Sequence, residues 1–208
     1  MILDCPFQYG YEEEVARPRE FDETLVVQQA MEVFWRKGYQ ATSVQDLVDA
    51  TGLQRGSLYG AFGDKHGLFL AALETYSQLM LGRIGQLIRQ QEDPVEALRV
   101  FVRGAALDCA KPDMVERGCM VGNASTELVA TDPVARARVQ VFVAAMRDAM
   151  ADALREGQRL GTFGRDRDPE AVATFIQCSM QGLTVIAKTE PGPAVIDGVV
   201  AEILRVLD

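Results

Sequence analysis

Residues 42–63 read TSVQDLVDATGLQRGSLYGAFG. Thr42 and Ser43 are both suited to cap a helix, and Thr42-x-x-Gln45 and Ser43-x-x-Asp46 both have capping-box spacing. Val44, Leu47 and Val48 share one face of a short helix over 43–50. Gly52 breaks the chain, and a second short helix follows over 54–61, with Leu58 and Phe62 inward and Gly63 at its end. Two short helices joined by Thr51-Gly52-Leu53 predict a helix-turn-helix. Helices this short are marginal alone. A core must come from the helix before, 21–37 with Gly38 as its stop, and from the long helix after. Phe34, Trp35, Leu47, Leu58 and Phe62 are the expected plug.

With Leu58 and Phe62 turned inward, the second short helix offers Gln54, Arg55, Ser57 and Tyr59 outward. Arginine can fork onto guanine and glutamine onto adenine, while serine and tyrosine hydroxyls reach phosphate oxygens. Gly56 permits close approach of backbone to a duplex. Lys65 and His66 stand at the start of the next helix, where free amides and the helix dipole favour a phosphate. A solvated polar face is the plainer reading of the same residues.

Outward from this core the chain stays helical. The stripe Leu68, Phe69, Ala72, Leu73, Tyr76, Met80, Ile84, Leu87 and Ile88 predicts one long helix after Asp64. Pro94 opens another, to about Ala110, and Lys111-Pro112-Asp113 reads as a turn. A short helix is expected over 119–130, and Asp132-Pro133 opens a long one to about 158. Asp168-Pro169 opens a helix to about 188, and a last one follows Pro191-Gly192-Pro193. No segment alternates long enough to require a strand. The expected fold is all-α with about nine helices: an arm over 1–19, a helix-turn-helix unit over 20–66 and a larger helical domain over 67–208.

Composition limits the function. The chain has 208 residues, 48% hydrophobic and 25% charged, which suits a globular protein with a real core. It has no run long and apolar enough to span a bilayer and no secretory-type start, so a cytoplasmic place is expected. Cys5, Cys109, Cys119 and Cys178 form no CxxC pair, and His66 is the single histidine, so no metal site is expected. There is no P-loop and no G-x-S-x-G, so no catalytic residue and no cofactor are assigned. The net charge of −9 opposes binding to a polyanion. That objection is softened by local balance: between Arg36 and His66, Arg36, Lys37, Arg55 and Lys65 face Asp46, Asp49 and Asp64.

The stretch from Phe21 to Phe69 resembles the N-terminal domain of the tetracycline-repressor (TetR) family. The likeness rests on the A-x-x-x-F run ending at Gly38-Tyr39, then Thr42-Ser43-Val44, Asp46-Leu47, Thr51-Gly52, Gly56-Ser57-Leu58-Tyr59, Phe62, and Lys65 with Gly67-Leu68. It implies a homodimer whose recognition helices enter successive major grooves of a palindromic double-stranded operator. By position it makes Thr42, Ser43, Tyr59 and Lys65 phosphate holders, and Gln54, Arg55 and Ser57 base-facing. Gly60-Ala61 depart from the larger polar residues many members carry there. A basic arm, Arg17 and Arg19, is expected to reach the minor groove, or else to be a plain tail. The alternative function is a ligand-binding protein of the same fold that has lost DNA recognition.

For the C-terminal half the resemblance implies a pocket for a small-molecule effector. Met80, Phe101, Met114, Cys119, Met120, Asn123, Phe142, Met146 and Phe175 are the candidate lining. Met-rich walls adapt to varied apolar ligands. Arg117-Gly118-Cys119, with Asn123 and Glu127, resembles the R-G-C-x-x-x-N-x-x-x-E pattern of one subgroup. Cys119 is a candidate redox or electrophile sensor, with Arg117 as the group to stabilise its thiolate, or else an inert thiol. The last two helices resemble the pair that packs across the family's dimer, and their apolar stripes support that expectation; packing within the chain is the other reading.

Overall fold

The computed structural model describes residues 21–190 and 192–208. The arm, with Arg17 and Arg19, lies outside the described residues. Ten helices and no strand occur among the residues described. The first three are α1 (Glu23–Lys37), α2 (Val44–Thr51) and α3 (Arg55–Phe62). The long α4 (Lys65–Gln90) leads to α5 (Pro94–Cys109), α6 (Pro112–Arg117) and α7 (Met120–Glu127). The chain ends with α8 (Pro133–Leu160), α9 (Pro169–Ala187) and α10 (Pro193–Arg205). The all-α expectation of about nine helices is met. The six residues of α6 stand where the sequence suggested only a turn, because Pro112 occupies a first-turn position and Asp113 adds an acid there.

Three helices begin with the same device. Asp93, Asp132 and Asp168 each accept hydrogen bonds from first-turn amides, and the proline that follows lacks the N–H that would be left over. In α1 the cap is Asp22, which accepts from the Thr24 and Leu25 amides. That helix buries Val26, Val27, Ala30, Met31 and Phe34.

The long α4 organises the molecule. It packs against α1 and α3 at one end and against α5, α7 and α8 along its length. Phe34 and Phe69 meet edge to face at 5.2 Å, and Trp35 meets Tyr76 in the same way at 4.9 Å. Of the expected plug, Phe34, Leu47 and Leu58 are fully buried, while Trp35 and Phe62 are partly so. At Gly67 a Cβ would fall 2.0 Å from the Phe62 carbonyl oxygen. Glycine there lets α4 start directly against the end of α3, which sets the direction in which α3 points.

Candidate functional site

The capping box forms as Ser43-x-x-Asp46, not as Thr42-x-x-Gln45. The Asp46 amide donates to Ser43 Oγ at 3.1 Å and the Ser43 amide to Asp46 Oδ2 at 2.9 Å. Asp46 also accepts from Lys37 Nζ at 2.6 Å. The bond from Lys37, followed by those from Ser43, lowers the Asp46 carboxyl from its ordinary 3.8 to about 2. With Leu47 buried below it, α2 is thereby held on α1.

On α3, Leu58 is the anchor at 1% exposure, and Gln54, Arg55, Gly56 and Ser57 are all exposed. A Cβ added at Gly56 would meet nothing within 4 Å, so this side of the helix is open. Tyr59 is half-buried, with the Arg55 guanidinium 5.1 Å from its ring centre. Gln54 caps the helix through its backbone alone, leaving the glutamine amide free of that duty. Gly60 is exposed with open space around it, and Gly63 caps the end through its amide to the Tyr59 carbonyl.

Three residues expected on the same surface are turned elsewhere. Thr42 is 1% exposed, and its hydroxyl donates to the Gly38 carbonyl at 2.6 Å. Lys65 Nζ donates to the Tyr39 and Thr42 carbonyls, both at 2.7 Å, and lies 4.4 Å from the Tyr39 ring centre. Its charge holds the turn before α2 rather than standing free for a phosphate. His66 Nε2 lies 2.5 Å from Asp132 Oδ2, so the ring faces the start of α8. Neighbouring positions on a helix point about 100° apart, and that rotation sends Lys65 to one side and His66 to the other. Ser43 remains exposed, although its hydroxyl already serves the cap.

A cavity of about 170 Å³ opens in the C-terminal half. Met80, Phe101, Met114, Cys119, Phe142 and Met146 line it as expected. Met120, Asn123 and Phe175 do not. Met120 is core at 2% exposure, Phe175 faces outward at 45%, and Asn123 is engaged by Arg117 and Lys188. The sequence reading missed Trp35, Tyr76, Met150 and Met180 on the wall. Trp35 was legible only as core of the helix-turn-helix. Its indole in fact reaches across into the cavity wall, a position that depends on how α1 crosses α4. Gln177, Gln181 and Thr184 add polar groups from α9, and Arg83 and Asp108 lie at the wall already paired with each other at 2.8 Å.

Arg117 does not serve Cys119. Its guanidinium lies 4.3 Å from the Trp35 ring centre and is ion-paired at 2.5 Å with both Glu32 and Asp113. Cys119 caps α7, accepting from the Gly122 amide at 3.4 Å, and Tyr76 donates its hydroxyl to the same sulfur at 3.7 Å. Burial raises the neighbouring Cys109 thiol, which favours its protonated form.

Comparison with known proteins matches this architecture in two parts. Residues 26–72 fit the model of bacterial regulatory proteins of the tetR family, and residues 94–203 fit that of the tetracyclin repressor-like C-terminal domain. The chain belongs to the TetR family. Among curated relatives of this TetR-type regulator is the uncharacterized HTH-type transcriptional regulator YezE of Bacillus subtilis, 32% identical over 84% of this chain and 90% of that one. The HTH-type transcriptional repressor ComR of Escherichia coli is 29% identical over 83% and 82%. A solved cysteine mutant of the TetR family regulator CifR, in complex with 26-base-pair operator DNA, superposes with a TM-score of 0.78 at 30% identity. That match covers 91% of this chain and 98% of that one. The regulatory protein TetR from Rhodobacter sphaeroides gives a TM-score of 0.78 at 27% identity, covering 88% and 97%. This chain is thus a helix-turn-helix transcriptional regulator by family. Among its described residues, no helix is long and apolar enough to cross a membrane.

Proposed function

We propose that this TetR-family chain is a homodimeric repressor that holds a palindromic operator through paired copies of α3 and releases it when a small molecule fills the cavity. The reading rests on one observation above the others. Gln54, Arg55 and Ser57 stand exposed on a helix whose far side is locked down by Leu58. The open backbone at Gly56 lets that face approach base edges closely. Tyr59 and Ser43 flank it and are suited to phosphate oxygens.

Dimerisation through α9 and α10 is supported by what the monomer leaves uncovered. Ile176, Leu183, Ile196, Val200 and Ile203 are buried within the chain. Phe175, Val185, Ile186, Val195 and Val199 on the same two helices are exposed. A second copy covering them is the self-complementary solution for a two-fold operator. The effector suited to the cavity is small and largely apolar, because methionine and aromatic side chains make half of the wall and its charged pair is internally satisfied. The helix-turn-helix unit of 20–66 and the sensing domain of 67–208 share α4 as their link.

The test is selection of bound duplexes from random DNA, followed by gel shifts against salt. A palindromic consensus is expected, with log affinity falling linearly as log salt rises. The absence of a shift on every duplex would favour the alternative, a ligand-binding protein without DNA recognition, to which the net charge of −9 lends some weight.

A further inference from the structure

The segment from Arg117 to Glu127 does more than wall the cavity. Glu127, the last residue of α7, reaches out of the C-terminal domain to the turn that precedes the helix-turn-helix. Its Oε2 accepts from the Tyr39 amide at 2.9 Å and its Oε1 from the Gln40 amide at 2.6 Å. A carboxylate at a helix C-terminus is disfavoured by the helix dipole, so the helix itself does not account for this placement. The two amides do.

The turn is shaped around that carboxylate. Gly38 sits at φ +80, and a Cβ there would come within 3.0 Å of Glu127 Oε2. Only glycine both adopts the conformation easily and leaves room for the acid. On its other side the turn meets a cation, since the carbonyls of Tyr39 and Thr42 accept from Lys65 Nζ. Amides toward an anion and carbonyls toward a cation hold the peptide groups of 39–42 in one orientation. Ser43, the cap of α2, follows directly.

The opposite end of α7 lies at the cavity. Trp35 Nε1 donates to the Gly118 carbonyl at 2.7 Å, and Gly118, Cys119 and Trp35 all line the cavity wall. The strut between them is eight residues, about 12 Å at helical rise. Asn123 stiffens it midway, donating to the Arg117 carbonyl at 2.7 Å and accepting from Lys188 Nζ at 2.9 Å.

We infer that Glu127 is a positioning residue for DNA recognition: through the Tyr39 and Gln40 amides it sets α2 and α3 relative to the sensing domain. Because Cys119, the N-cap of α7, lines the cavity beside Gly118, this contact is the path by which a filled cavity alters the reading surface. The roles in DNA recognition and effector response rest on the proposed function; that Glu127 holds the turn does not.

The test is the near-isosteric Glu127→Gln in the full chain, read in two ways. Glutamine keeps one acceptor oxygen and turns an NH2 toward the second amide. By NMR hydrogen exchange, at least one of the Tyr39 and Gln40 amides is expected to exchange roughly tenfold faster or more. Affinity for the duplex recovered by selection falls by roughly the same factor, while affinity for an unrelated duplex stays within about twofold. Far-UV circular dichroism, unchanged, separates mispositioning from unfolding. Exchange at both amides equal to that of the parent would overturn the inference, as would selected-duplex affinity within about twofold of the parent. If the parent binds no duplex, the repressor reading fails and the exchange result alone decides whether Glu127 holds the turn.

Discussion

Arg55 is expected to carry the largest share of sequence discrimination, because its guanidinium lies 5.1 Å from the Tyr59 ring centre and no acidic side chain pairs with it among the described residues. Arg55→Ala is expected to weaken binding to the selected duplex by about 1–3 kcal/mol and to change binding to unrelated DNA much less, as measured by gel shift at fixed salt. Asp46 gives a pH prediction. Its folded carboxyl titrates at about 2 instead of 3.8, chiefly through the bond from Lys37. A carboxyl depressed on folding contributes stability that is full above its unfolded value and is lost as pH falls toward the folded one. The melting temperature of Asp46→Asn is therefore expected to lie below that of the parent at pH 5, and the gap to close as pH is lowered toward 2. At this scale the sequence was legible in part. Gln54, Arg55 and Ser57 stand outward as their spacing required, whereas Lys65 and His66 turn inward to partners 23 to 66 residues away in the chain.

The second helix of the helix-turn-helix shows how little holds a short element. Eight residues form α3, with Leu58 as its one buried residue. Leu58→Ala removes the anchor and is expected to cost about 2–5 kcal/mol of local stability. By hydrogen exchange, protection over 55–62 is expected to fall while α8 and α9 keep theirs, and the gel shift is lost. Protection lost evenly across the chain would instead mean that α3 does not unfold as a local unit. Element boundaries were legible wherever a cap announced them: Asp-Pro opened α5, α8 and α9 where expected. The short α6 was not legible, since Lys111-Pro112-Asp113 suits a turn and a helical start equally. What extends it is the Arg117 side chain, fixed at its end by Asp113 and by Glu32 from α1.

For the molecule as a whole, the decisive prediction concerns the outer face of α9 and α10. Val185 and Ile186 are 59% and 47% exposed, so charging them disturbs the monomer little. A Val185→Asp, Ile186→Asp double variant is expected to sediment at half the mass of the parent with the same helical content, and to lose affinity for the palindrome while keeping weak binding to a half-site. An unaltered mass would overturn dimerisation through this face. The cavity belongs to this scale too. Its wall takes Trp35 from α1, Tyr76 from α4, Phe101 from α5 and Met180 from α9, and no local pattern announces that these four meet.

Periodicity, caps and glycine stops, read along the chain, were enough to determine an all-helical protein with a helix-turn-helix near its start and a polar face on the second short helix. They suffice because each depends on residues within a turn or two of one another. Tertiary structure alone decided which polar side chains stay free. Hydrogen bonding is a contest among all groups within reach, so Lys65 and His66 are settled by Tyr39 and Asp132 rather than by their neighbours on the helix. It also brought Glu127 to Tyr39 across 88 residues, joining the end of α7 to the turn before α2.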